Sequence, residues 1–297
     1  MNAFRPGDSD RITRNYTDSI LIEMRHLDGV LPDTSMTVFG HTFSTPITTA
    51  AFSHLSQFGY HKDGMVELSK GACMANALNF VGMGSEEELE RMVDTGAKII
   101  KIVKPYEDNG RIFKKLEHAK KTGVIGVGMD IDHAFNGRGE YDVVQGDAMR
   151  PKSVEEIAAF AKATGLPFVV KGVHSVTDAL KCIEAGVHGI IVSHHHGIMD
   201  YAVPPLMILP DIVQAVDGRI PVFVDSGIAN GYDVFKGLAL GAIGACAGRA
   251  MLDSLKTGGK DGSSNWIKEQ TQVLRSVMAR TGSKDIKSID PTVLHYL

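Results

Sequence analysis

Apolar residues fall into short runs separated by longer stretches with helical spacing. Eight runs stand out: 47–52 (ITTAAF), 79–83 (NFVGM), 98–103 (KIIKIV), 124–129 (VIGVGM), 167–172 (PFVVKG), 189–194 (GIIVSH), 221–225 (PVFVD) and 243–248 (IGACAG). Each is apolar on both faces and rich in Val, Ile, Ala and Gly, the pattern of a parallel strand covered on both sides. The segments between them carry helix signals. Ser85-Glu-Glu-Glu88, Ser153-Val-Glu-Glu156 and Ser175-Val-Thr-Asp178 are capping boxes or close to them. Gly123, Gly165 and Gly186 follow helical stretches and precede strands, as left-handed C-caps do.

Alternating strands and helices repeated eight times predict a single α/β domain over 1–297, a (β/α)8 TIM barrel. The competing architecture is an open doubly wound sheet, but no GxGxxG follows an early strand. Two segments fall outside the repeat: a short N-terminal extension of residues 1–45, and a long polar loop after strand four, 131–152. A loop of that length at the carboxyl end of a barrel strand predicts a lid or binding loop, with a disordered excursion as the alternative.

Composition narrows the function classes. Charged residues make up 22% of the chain, and 31 Lys+Arg against 35 Asp+Glu leave a net charge of −4. That balance argues against a nucleic-acid partner, which needs a basic face. Three scattered cysteines and no CxxC pair exclude a disulfide framework and a thiolate metal site, and suit a reducing cytoplasm. The polar start MNAFRPGDSDRITR has no apolar core for a signal peptide, and no run is long enough to span a membrane. A cytoplasmic protein is expected, with a small molecule as its partner.

In a barrel, chemistry sits at the carboxyl ends of the strands. Those ends offer Lys101 and Lys104 after strand three, Asp130 after four and Lys171 after five. Ser193, His194, His195 and His196 follow strand six, Asp225 strand seven, and Gly248-Arg249 strand eight. Lys171 stands in an apolar run, where a lysine needs a negative or electron-rich partner. Alternation along a strand predicts His194 and His196 on one face and His195 on the other. General base and metal ligand are both open to this trio on chemistry alone. The glycine-rich turn Asp225-Ser226-Gly227-Ile228-Ala229-Asn230-Gly231, with Gly244 to Arg249, matches a phosphate site after strands seven and eight, with Arg249 as a bidentate cation.

VVKGV, AGVHGIIVSHHHG and PVFVDSGIANGYDVFKGLALGAIGACAGRA together resemble the FMN-dependent α-hydroxy acid oxidases and dehydrogenases. DSDRITRN, TSMTVFGHTFSTPITTAA and the DID after strand four fit the family in order, so the resemblance covers nearly the whole chain. It implies a barrel with FMN at its mouth. Carried over, His195 is the base, Asp130 orients it, and Lys171 and Lys101 lie by the flavin. Ala50, Ala51 and Phe52 place backbone against the ring. Ser193, Asp225, Gly227, Gly248 and Arg249 contact the flavin, its ribityl chain and its phosphate. The resemblance also implies a homotetramer. Oxygen, a quinone or a carrier protein would each serve as electron acceptor.

The departures lie in the substrate clamp. His194 stands for the family's Asn, and Ile198 stands near the carboxylate-binding Arg. Ala3-Phe4 replace an early Tyr pair, Lys101 replaces a Gln, Val103 replaces a Tyr, and Ala229 replaces an Arg of the phosphate turn. Lys101, Lys104, His194, His196 and Arg138 are the candidates for substrate binding. Otherwise the substrate is not a simple 2-hydroxy acid. Two further readings compete: a barrel relative with changed chemistry, such as an FMN-assisted isomerase or lyase or a metal-dependent lyase using His194 and His196, and a non-catalytic scaffold. No metal ligand is assigned.

Overall fold

In the computed structural model, which describes residues 5–297, all eight apolar runs form strands of one parallel sheet. They are β1 (Ile47–Thr49), β2 (Asn79–Val81), β3 (Ile99–Val103), β4 (Gly126–Asp130), β5 (Phe168–Val173), β6 (Gly189–Val192), β7 (Val222–Val224) and β8 (Gly244–Ala247). Each pairs with its neighbour in sequence from β2 to β8, and β8 pairs back onto β1 from Ala245–Ile47 to Ala247–Thr49. The ring closes between β1 and β2, where Thr49 N–H donates to Leu78 O at 3.2 Å and Phe52 bridges to Val81. Closure leaves no sheet edge, so the barrel and not the open sheet is the fold.

Eight helices follow the strands: α2 (Gly64–Met74), α3 (Glu86–Val93), α4 (Asn109–Thr122), α5 (Val154–Ala163), α6 (Val176–Glu184), α7 (Pro205–Val216), α8 (Gly231–Ala239) and α9 (Leu252–Arg280). Their starts follow the sequence signals. Ser85 Oγ accepts from Glu88 N–H, Ser175 Oγ from Asp178 N–H, and Ser153 with Glu156 completes a reciprocal capping box. Each cap contributes about 1 kcal/mol and fixes where a helix begins, hence how the preceding strand end is aimed.

Additional elements close the barrel's two ends. The hairpin of Met36–Val38 and His41–Phe43 covers the amino ends of the strands. There Met36 and Phe39 lie so near Gly244 and Gly189 that a Cβ at either glycine would meet them at 3.0 and 3.1 Å. At the opposite rim lies α1 (Ser9–Ser19), followed directly by Ile20–Ile22, which pairs antiparallel with Leu294–Tyr296. The 131–152 loop carries defined local structure. A 3-10 turn at Asp132–Ala134 leads to a small hairpin, Val143–Val144 with Asp147–Ala148. Met149 bridges to Tyr106 and is fully buried, and Arg111 pairs with Asp147.

Candidate active site

A cavity of about 690 Å³ opens at the carboxyl ends of the strands, within the range of small-molecule sites. Its chemistry begins with register. Lys171 on β5 is paired with Asp130 on β4, so the two point the same way. Lys171 Nζ lies 3.8 Å from Asp130, 3.6 Å from Asp132 and 3.8 Å from Asp225, and 3.1 Å from His195 Nδ1. Burial pushes this lysine toward neutrality, but the three carboxylates outweigh it and hold it charged, above its ordinary range. The register of β5 slips after Lys171, at Gly172. Gly172 has φ +91°, and a Cβ there would sit 2.6 Å from Asp132 Oδ2. Glycine is what lets Asp132 fold over the lysine.

Lys104 Nζ donates to Asp130 Oδ2 at 2.8 Å. Desolvation pushes the Asp130 carboxyl up, but Lys171 and Lys104 hold it well below the usual carboxylate range. His195 completes the cluster. Its Nδ1 is 2.8 Å from Asp132 Oδ1 and 3.4 Å from Asp130 Oδ2. The Asp132 oxygens are buried without a well-aligned donor, so charge and not hydrogen-bond geometry holds this contact. Burial and Lys171 both oppose a proton on His195, yet contacts with Asp130 and Asp132 win and raise its proton affinity.

His133 was not among the candidates read from the sequence. Its Nδ1 is 2.9 Å from Asp142 Oδ2, and its Nε2 is 3.2 Å from His195 Nε2, the rings meeting at 90°. Burial, then Lys104 and His195, lower its proton affinity. Asp132, His133 and His195 hold donor atoms within 4.8 Å of one another. Asp132 contacts the Nδ1 edge of the His195 ring and His133 its Nε2 edge.

Several expectations are corrected. The alternation drawn through 194–196 fails because β6 ends at Val192, and His195 and His196 adopt left-handed backbone, φ 48° and 43°. His194 turns away from the cavity. Its Nε2 is 2.7 Å from Thr13 Oγ1, and its Nδ1 accepts from Gly197 N–H. It does not line the cavity, whereas His196 does. Lys101 donates to Gly82 O and does not line the cavity, and burial lowers its pKa to about 8. Ser193 lies behind the wall, donating to Asp225 and accepting from His195 N–H. Arg138 is exposed and outside the cavity. The positions of the missing Tyr pair, Ala3 and Phe4, lie outside the described residues.

The remaining candidates, Ala50, Ala51, Lys104, Lys171, His195, His196, Asp225, Gly227, Gly248 and Arg249, all line the cavity. Asp130 sits directly beneath it, on Lys104 and Lys171. At the end opposite Lys104, the N–H groups of Gly227, Ile228, Arg249 and Ala250 have no acceptor among the described residues. Gly227 has φ +81°, and a Cβ there would strike Thr13 Cγ2 at 2.6 Å. Helix α1 supplies two groups absent from the sequence reading. Asp10 pairs with Arg249 at 2.7 Å. Arg14 donates to Gly227 O at 3.1 Å and to Asp233 at 2.8 Å, taking up the turn whose arginine is Ala229 here. The signal available was their i, i+4 spacing in DSDRITRN, which puts both on one helix face.

The family model described as FMN-dependent dehydrogenase matches residues 6–155 and 146–296. Glycolate oxidase 3 of Arabidopsis thaliana is 30% identical over 94% of this chain and 85% of its own length. Glycolate oxidase of Spinacia oleracea is 28% identical over 93% and 84%. Among solved structures, a tyrosine-to-phenylalanine variant of mandelate oxidase with a monooxide FMN adduct superposes with a TM-score of 0.87 at 26% identity, over 98% of this chain and 92% of that one. An arginine-to-leucine variant solved with 2-hydroxy-phenylacetamide superposes with a TM-score of 0.88 at 25% identity, over 98% and 90%.

Proposed function

The chain belongs to the FMN-dependent dehydrogenase family, and from that premise we propose that it oxidises the hydroxyl-bearing carbon of a 2-hydroxy acid or a derivative of one, working as one domain over residues 1–297. It is an FMN-dependent oxidoreductase, and the cavity's residues fit the cofactor. N–H groups of Gly227, Ile228, Arg249 and Ala250, without an acceptor among the described residues, suit a phosphate, as does the half-exposed Arg249 guanidinium. Ala50, Ala51, Phe52 and Met83 offer an apolar wall to a flat ring, and Lys171 offers a buried cation at its edge. FMN, when bound, supplies a two-electron acceptor for the hydrogen leaving the substrate's α-carbon.

His195 takes the hydroxyl proton. Asp132 and Asp130 at Nδ1 favour hydrogen there and outweigh the charged Lys171, 3.1 Å from the same nitrogen, which opposes it; the Nε2 lone pair is then the base. As Nε2 gains its proton, Asp132 and Asp130 stabilise the imidazolium from the other edge. His133 then accepts from His195 Nε2–H. Its own Nδ1–H is committed to Asp142, so its Nε2 is free to accept. Lys171 and Lys104 keep Asp130 ionised throughout.

The observation that carries this reading is the His195 ring, clamped by Asp132 and Asp130 on one edge and open to the cavity and His133 on the other. The test is anaerobic mixing of the FMN-loaded protein with 2-hydroxy compounds, followed by loss of the flavin's visible absorption. His195→Gln is expected to keep FMN and lose reduction. A protein that takes up no FMN, or a variant that reduces at the parent's rate, refutes the reading.

No helix among the described residues is long and apolar enough to cross a membrane, and all three cysteines are unpaired. These support a reducing, cytoplasmic setting for this chain, although two relatives carry peroxisomal in their names. We also propose self-association into a homo-oligomer, which light scattering tests.

A further inference from the structure

We propose that the site takes 2-hydroxy acyl compounds whose carboxyl group is masked as an amide or ester, rather than free 2-hydroxy carboxylates; the inference rests on the oxidoreductase reading above. Recognition of a carboxylate needs an available cation, usually a bidentate arginine. Every lysine and arginine lining this cavity is already engaged, three by carboxylates and Arg249, which also pairs with Asp10, by the cofactor phosphate proposed above. Arg14 holds Asp233 and Asp18 at 2.8 and 2.7 Å, Arg249 holds Asp10 at 2.7 Å, and Lys104 holds Asp130 at 2.8 Å. Lys171 stands among Asp130, Asp132 and Asp225.

The imbalance is sharpest beside His195. Two lysines face three aspartates there, so the reacting end has one negative charge too many while His195 is neutral. Neither lysine is free to turn. The Lys104 and Asp130 side chains are 9% and 4% exposed. Swinging Lys104 toward a substrate carboxylate would strand a buried Asp130 beside the base. His196 lines the same space, but burial, His195 and Arg249 lower its proton affinity. The residue near the expected arginine position is Ile198, and Arg138 lies outside the cavity. An incoming carboxylate would therefore lose its hydration and add a like charge, with no cation released to receive it.

An amide or ester meets neither penalty. Its carbonyl needs one uncharged donor, and the Gln145 amide at the tip of the 143–148 hairpin and the His196 ring both line the cavity. Leu55 and Phe58, beyond the residues assigned to the flavin ring, add apolar lining suited to an uncharged substituent. The chemistry balances without the anion. With FMN bound as the two-electron acceptor, the hydrogen leaving the α-carbon would carry both bonding electrons, the hydroxyl would lose its proton to His195, and the C–O single bond would become a carbonyl.

The test compares compounds differing only in the carboxyl group, on the full-length FMN-loaded protein without oxygen. Mandelate is set against mandelamide and lactate against lactamide, with flavin bleaching followed. Binding of benzoylformate and its amide is measured separately by calorimetry. Both amides are expected to bleach the flavin faster than their acids, and the keto amide to bind more tightly, by about tenfold or more. Equal or better performance by the acids overturns the inference and leaves the oxidoreductase reading intact. Flavin uptake with no bleaching by any of the four hydroxy compounds overturns both.

Discussion

Asp130 is the charge on which two buried lysines depend, and its removal gives the sharpest test of the cluster. At an N–O separation of 2.8 Å, the gross attraction to Lys104 is about 6 kcal/mol at an effective dielectric of about 20. Desolvation of both groups cancels much of this, so the pair adds little compared with an apolar pair. Breaking it from one side is different. Asp130→Asn keeps the volume but leaves Lys104 buried without a carboxylate among the described residues, at a cost of about 3–5 kcal/mol. Lys104→Met should cost less, because Asp130 still has Lys171 at 3.8 Å and His195 at 3.4 Å. The double variant should be more stable than the sum of the two losses by about 2–3 kcal/mol. Urea unfolding of the four proteins at fixed FMN concentration measures the cycle. Additive losses, or an Asp130→Asn cost below about 1 kcal/mol, the level of a surface pair, would refute the claim that this charge is buried and shared.

Flavin reduction should fail as pH falls through the His195 value, which lies above the ordinary histidine range; stopped-flow rates against pH locate the limb. The same raised affinity contributes stability fully present below about pH 6.5, the unfolded value, and lost as pH rises through the folded one. His133→Phe removes the acceptor for His195 Nε2–H, so the limb should move to lower pH; an unmoved limb would exclude His133 from proton handling. Gly227→Ala combines a left-handed backbone with a Cβ 2.6 Å from Thr13. It should cost at least about 1–2 kcal/mol and weaken FMN binding, read by fluorescence titration. Arg249→Ala should lower FMN affinity about 10- to 100-fold, the range of one charge-assisted contact, and flatten its salt dependence.

How far the sequence could be read depended on which force set each feature. Strands buried on both faces have an apolar signature that survives any context, and all eight runs became barrel strands. Their ends did not follow. The run at 47–52 stops at Thr49, and the one at 189–194 stops at Val192, because the rim leaves the ladder to build the site. Alternation assumes extended backbone, and His195 and His196 break it with positive φ. Lys101 and Lys104 looked equivalent as cations after strand three, yet one faces Gly82 O and the other Asp130. The contribution of α1 was hidden for another reason. Arg14 and Asp233 are 219 positions apart, and a helix with its own charged face gives no sign of what it will meet.

The pairing of Ile20–Ile22 with Leu294–Tyr296 has a consequence for the order in which this molecule can be made. Helix α1 is synthesised early, but the strand that anchors it emerges some 270 positions later. Contacts of that span form slowly and late. During translation, then, α1 would wait unpinned while the barrel assembles, and Arg14 and Asp10 would reach the rim last. A nascent chain stalled before 294 would hold a barrel whose 225–231 turn still lacked its latch to α1.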